Sequence, residues 1–140
     1  VSLYADASVL VPFFTEDVFS RRVDNFFDAS RPIIILSDFA SAEFASVVAR
    51  KVRTRELTDE QARAVFAVFD RWASEQAARV QVSSADVVAA EVFIRRLDLN
   101  LRAPDAINIA IAARLGAELA TFDDRMAGAA RALGCAVAEI

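Results

Sequence analysis

The chain alternates between two rhythms of apolar residues. Short unbroken runs read as buried strands: "VSLYAD", ending in Asp6, and "PIIIL", a β-branched run suited to burial on both faces of a sheet. "RVQV", "AELAT" and the terminal "CAVAEI" are shorter runs of the same kind. Between them, apolar positions recur at helical spacing. "SVLVPFF" predicts a helical turn or two, and "DVFSRRVDNFFDA" an amphipathic helix with Val18, Val23, Phe26 and Phe27 inward. "SDFASAEFASVVARKVR" predicts a helix capped by Ser37 or Asp38. "TDEQARAVFAVFDRWASEQAA" predicts the longest helix, opened by Thr58 and Gln61 in capping-box spacing. "SADVVAAEVFIRRLD" follows as a helix. "APDAINIAIAARLG" is another, with Pro104 in its first turn and Gly116 past its end, and "DDRMAGAARALG" the last, closed by Gly134.

Three glycines and three prolines leave room only for short connections, and no linker or repeat interrupts the pattern. Residues 1–140 therefore read as a single domain of α/β class. Strands alternating with helices predict a mostly parallel central sheet covered on both sides. In such sheets ligands gather at the carboxyl ends of the strands.

Composition narrows the chemistry. There is no histidine and only one cysteine, Cys135, so Ser-His-Asp and Cys-His nucleophiles, the usual zinc sites and an internal disulfide are all ruled out. Catalysis here has to run on carboxylates, hydroxyls, arginine or a hard metal ion. The apolar fraction of 56% is high enough to suggest a face that a partner covers. No apolar run reaches the roughly 18–20 residues of a membrane span. The first residues carry an Asp and no basic start, so the expected location is the cytoplasm and no membrane partner is expected. A net charge of −4 counts against a polyanionic partner. Against that stand two basic clusters, Arg50, Lys51, Arg53 and Arg55, and Arg95, Arg96 and Arg102, which fit either phosphate contacts or solvated helix faces.

Several acids stand in unusual places. Asp6 ends the first strand between "SLYA" and "ASVLV", where a charge is costly unless it is paired, bound to a metal or used as a helix cap. Glu43 has Phe39, Ala40, Ser46 and Val47 on its helix face and no basic partner there. Asp105 opens a helix that is apolar nearly all round; the helix dipole accounts for an acid at that position and would also keep a buried carboxylate ionised. Asn108, one turn on, is placed to bond the acid or a bound water. Asp123 and Asp124 stand side by side after the strand "AELAT". Four carboxylates meeting at one sheet edge would repel one another, and a divalent cation would relieve the repulsion. With only oxygen donors on offer, the choice is Mg²⁺ or Mn²⁺, and phosphodiester hydrolysis by metal-activated water is the chemistry these parts suit best.

Taken together, "YADASVLV", "SAEFASVVARK" and "LRAPDAINIAIAARLGAELATFDDRMAGAARALG" resemble the PIN-domain proteins, and specifically the VapC-type toxins of bacterial toxin–antitoxin systems, over the whole chain. The resemblance implies a three-layer α/β/α sandwich and a Mg²⁺-dependent endoribonuclease acting on structured or messenger RNA. It places Asp6, Glu43, Asp105 and Asp123 as the catalytic, metal-holding acids, with Ser8 assisting. Asp123 is the acid two residues after Thr121 in the family motif. Asp124 then opens the helix and serves at most as an accessory or alternate ligand. The resemblance also implies a homodimer or larger assembly and a cognate antitoxin that wraps an apolar groove beside the site. The alternative is a PIN-fold binding module that has lost its activity and acts through RNA or protein contacts. A phosphoryl-accepting receiver domain fits less well, because the only lysine, Lys51, lies mid-helix. An aspartate-nucleophile phosphatase would want a second Asp where Ser8 stands.

Overall fold

A computed structural model describes residues 2–140. Val1, the expected first residue of the first strand, lies outside the described residues. Four parallel strands form one sheet: β1 (Ser2–Ala5), β2 (Ile33–Ser37), β3 (Ala78–Val80) and β4 (Glu118–Ala120), in the order β3-β2-β1-β4. Seven helices occur among the described residues: α1 (Ala7–Phe14), α2 (Ser20–Ser30), α3 (Asp38–Arg53), α4 (Asp59–Glu75), α5 (Ser84–Arg95), α6 (Ala103–Leu115) and α7 (Asp124–Ala132). They flank the sheet in two groups, completing a three-layer α/β/α fold. α1 packs against α2, α3 and α4, while α6 packs against α5, α7 and β4. No helix is long and apolar enough to cross a membrane.

β1 runs through the middle of the sheet, and Leu3, Tyr4 and Ala5 are buried there. The first helical group is locked by aromatic rings. Phe13 and Phe14 of α1 meet Phe27, Phe44, Phe69 and Trp72, and the Phe44 and Phe69 rings stack 4.2 Å apart. Each such pair adds about 0.5–1.5 kcal/mol beyond the area it buries. In the second group Arg114 of α6 reaches α5 and binds Asp86 through Nε at 2.7 Å and Nη2 at 2.9 Å. Asp86 is buried, so this ion pair clamps the two helices together.

The helix ends follow their caps. Ser37 caps α3, Thr58 and Gln61 form the expected reciprocal box on α4, and Gly116 ends α6 at φ +62° in the left-handed region. Two expectations are corrected. Val18 is 88% exposed rather than inward. The cause is a polar turn that delays α2 to Ser20: Asp17 Oδ1 accepts the Phe19 N–H, and Ser20 Oγ accepts the Asp17 N–H. "CAVAEI" forms a single bridge, Val137 to Leu119, rather than a strand. β4 is only three residues long, so little edge remains to pair.

Candidate active site

The strand order fixes where a site belongs. The chain builds β2 and β3 to one side of β1 and then returns to lay β4 on the other. The crevice beyond the carboxyl ends of β1 and β4 is therefore the point where the winding reverses. Asp6 follows β1 there, and its N–H bonds the Ala120 carbonyl at the end of β4 at 3.2 Å.

Asp6 is 5% exposed and N-caps α1, taking the Val9 N–H on Oδ1 at 3.3 Å. Ser8 Oγ donates to the same oxygen, and Thr121 Oγ1 to Oδ2, both at 2.6 Å. Burial pushes the Asp6 carboxyl up to about 6. The Ser8, Thr121 and Val9 bonds pull against that rise, and the charge of Glu43 adds to it. The two hydroxyls also tie down the next loop: Thr121 Oγ1 accepts the Asp123 N–H at 3.0 Å, and Ser8 Oγ accepts the Phe122 N–H at 2.9 Å.

Glu43 comes from α3. Asn108 of α6 donates from Nδ2 to its Oε1 at 2.7 Å and to the Pro104 carbonyl at 3.1 Å. Asn108 Oδ1 accepts the Tyr4 hydroxyl at 2.6 Å, and Tyr4 pairs in turn with Ser37 at 2.6 Å. Asn108 thus serves Glu43, a different acid from its helical neighbour Asp105. Burial raises the Glu43 carboxyl, the Asn108 bond lowers it, and the charge of Asp105 raises it further. Asp105 is raised by burial and then by the charge of Asp123, against the pull of the Arg102 N–H and the Arg125 and Arg102 charges. Asp123 is the N-cap of α7, its Oδ1 accepting from the Arg125 and Met126 N–H groups at 3.0 and 3.1 Å. Asp124 is the first helical residue and is exposed.

The four predicted acids are therefore electrostatic neighbours, Asp6 with Glu43, Glu43 with Asp105, and Asp105 with Asp123. Their donors are all hard oxygens and their charges repel, which suits a hard divalent cation. Among the described residues no group of three or more His, Cys, Asp or Glu side chains forms a ready-made cage for such an ion. Glu43 is engaged by Asn108, and Asp123 by its own helix.

Pattern reading missed Tyr4 and Ser37, which fix Asn108 from beneath. The signal was a lone tyrosine in a buried strand, since its hydroxyl needs a partner. The second basic cluster is largely spent in local pairs, Arg95 with Glu91 and Arg96 with Asp98. Arg50 enters no ion pair among the described residues.

A model of the PIN domain family matches residues 3–132. No curated protein sequence matches the chain. Among solved structures, the sarcin–ricin-loop-cleaving toxin VapC20 of Mycobacterium tuberculosis superposes with a TM-score of 0.72 at 17% identity, covering 91% of this chain and 94% of that one. The VapBC2 complex of Rickettsia felis, bound to a promoter DNA fragment, gives 0.72 at 13% identity over 99% and 98%. FitAcB of Neisseria gonorrhoeae gives 0.70 at 16% identity over 98% and 96%. At these identities the likeness is one of fold.

Proposed function

The chain belongs to the PIN-domain family, and on that premise we propose that it is a divalent-metal-dependent endoribonuclease of the toxin–antitoxin kind. The observation that carries this reading is the file of mutually repelling carboxylates at the winding reversal, three of them raised above their ordinary values. Asp6, Asp105 and Asp123 would hold Mg²⁺, or Mn²⁺ in its place, with Glu43 tightening the site. A cation bound there supplies Lewis-acid polarisation of the phosphodiester and water activated at neutral pH. The chain's own residues do the positioning. Ser8 and Thr121 fix both oxygens of Asp6, Asn108 orients Glu43, and the Arg125 and Met126 N–H groups hold Asp123. Hydrolysis in line would leave a 3′-hydroxyl and a 5′-phosphate.

The solved structures named above include a toxin that cleaves RNA and a toxin–antitoxin complex. They support a cognate antitoxin as partner here, with a homodimer or larger assembly and a cytoplasmic setting as part of the same reading. A cavity of about 690 Å³, with Phe14, Leu57, Ala64 and Val65 on its wall and Glu16, Lys51 and Glu56 beside them, offers such a partner a seat of mixed character.

The test is cleavage of end-labelled total transfer RNA and a structured messenger RNA in Mg²⁺, Mn²⁺ and EDTA, with Asp6→Asn prepared in parallel. Metal-dependent cuts absent from the variant are expected. Equal cutting by both proteins would point to a contaminating nuclease and remove the assignment.

A further inference from the structure

Phe19 and Phe122 come from opposite ends of the chain and lie ring on ring, centroids 4.3 Å apart and planes 13° from parallel. Both are half-buried. Phe122 packs against the hydrophobic core and Phe19 does not. The polar turn before α2 holds Phe19 in place instead, through the bond from its N–H to Asp17. Core burial accounts for one ring and leaves the other unexplained.

The pair partitions two cavities. The smaller, about 220 Å³, is lined by Arg22, Asp124 and Arg131. From that side the Arg22 guanidinium sits 5.6 Å from the Phe19 centroid and 5.1 Å from the Phe122 centroid, and it also donates to the Ile140 carbonyl. The larger cavity, about 500 Å³, is lined by both rings together with Ser8, Asp123, Arg50 and Lys51. It borders the candidate active site, sharing Asp123 with it and Ser8, which bonds both Asp6 and the Phe122 N–H.

We propose that this larger cavity receives one unstacked nucleobase of an RNA strand, laid against the Phe19–Phe122 pair, while Arg50 and Lys51 hold a neighbouring phosphate. The proposal rests on the ribonuclease reading and deepens it. It assigns a base-stacking wall and a phosphate clamp to named residues beside the candidate site. In a duplex the base faces are covered by their neighbours, whereas a splayed-out base stacks on aromatic side chains. Every base has such a face, so the wall selects strandedness more than sequence. Charge decides between occupants. The two acids on the same wall are already engaged, Asp17 by the Phe19 N–H and Asp123 by the Arg125 and Met126 N–H groups. A protein partner's apolar side chain would use the rings and leave Arg50 idle, whereas a nucleotide uses both. Arg50 is free of ion pairs among the described residues, and Lys51 has only Glu56, at 3.8 Å.

The experiment follows the fluorescence of a short single-stranded oligoribonucleotide carrying 2-aminopurine, whose emission falls when the base stacks. Ca²⁺ replaces Mg²⁺ and Mn²⁺, and a gel confirms that the strand stays intact. The native protein should quench the single strand and not the same sequence in duplex. Phe19→Ala should weaken binding roughly 5- to 150-fold. Phe19→Leu, which keeps apolar bulk, should lose the quench while unfolding at the native temperature, and Phe19→Trp should restore it. Native binding without quenching, equal affinity for single strand and duplex, or Phe19→Leu behaving as native would overturn the proposal. So would unchanged RNA binding by Phe19→Leu coupled with lost affinity for the antitoxin, which would assign the wall to a protein. Cleavage of the same strand in Mg²⁺ separates the two readings. Cutting with an unchanged KM in Phe19→Leu overturns the stacking wall alone, whereas stacking with no cutting in any metal overturns the nuclease alone.

Discussion

Asn108 donates to Glu43 at 2.7 Å while accepting the Tyr4 hydroxyl at 2.6 Å, so a residue in the sheet's central strand orients an acid on a helix 39 positions later through a side chain from a third element. The amide can face only one way, because Nδ2 meets two acceptors and Oδ1 meets a donor. Asn108→Ala should cut nuclease activity or metal affinity about 10- to 100-fold, the usual cost of losing a residue that orients a ligand. Tyr4→Phe, which leaves Asn108 bonded to Glu43, should cost less. Initial rates against Mg²⁺ concentration check the order, and equal effects would show that the amide is not the link.

Asp6 makes the metal-free protein sensitive to pH in a defined direction. Its carboxyl is raised to about 6 in the folded state from an ordinary 3.8, so the folded chain holds the proton longer than the unfolded one. The stability tied to this group is complete below about pH 3.8 and is lost as pH rises through about 6, on the order of 3 kcal/mol. Asp6→Asn removes the titration. In EDTA it should unfold at higher temperature than the native protein at pH 7 and at about the same temperature at pH 4. A constant difference across that range would reject the raised carboxyl.

Thr121→Val deletes the hydroxyl that donates to Asp6 and accepts from the Asp123 N–H. The Thr121 bond lowers the Asp6 carboxyl, so its loss should move the titration above about 6. Carbon-13 carboxyl shifts of metal-free protein report this directly. An unmoved or lowered midpoint would mean that water replaces the hydroxyl.

Arg114→Met leaves Asp86 buried without its charged partner, with Ser83 still bonding to it. The expected loss is roughly 2–3 kcal/mol at neutral pH in urea unfolding. Arginine holds the Asp86 carboxyl below its ordinary 3.8, so the pair stabilises the protein above that value and fades as pH falls below it. Native and variant proteins should therefore converge in strong acid.

Much of this architecture was legible because it is written locally. The strands, the capping box at Thr58 and the glycine stop at Gly116 each depend on a few adjacent residues. The same holds for the positions of Asp6 after a strand and Asp105 in a first turn. What could not be read depends on contacts between distant segments. Asn108 finds Glu43 across 65 positions, and Asp86 finds Arg114 across 28. Asp123 and Asp124 were both chemically able to cap α7, and only the backbone decides that Asp123 does. Val18 was misplaced because helical spacing was extended through a turn whose Asp17–Ser20 bonds carry no apolar signature. "CAVAEI" has strand composition, yet a ladder needs a partner edge, and β4 offers three residues.

The bond from Thr121 to Asp6 spans 115 positions. During synthesis, the first acid leaves the ribosome long before the hydroxyl that orients it, and before Asp105 and Asp123 exist at all. A chain stalled before residue 105 therefore carries Asp6, and beyond residue 43 also Glu43, but neither Asp105 nor Asp123. On the nuclease reading proposed above, truncated or stalled products lack the complete acid set, and only the finished, folded chain would cut RNA.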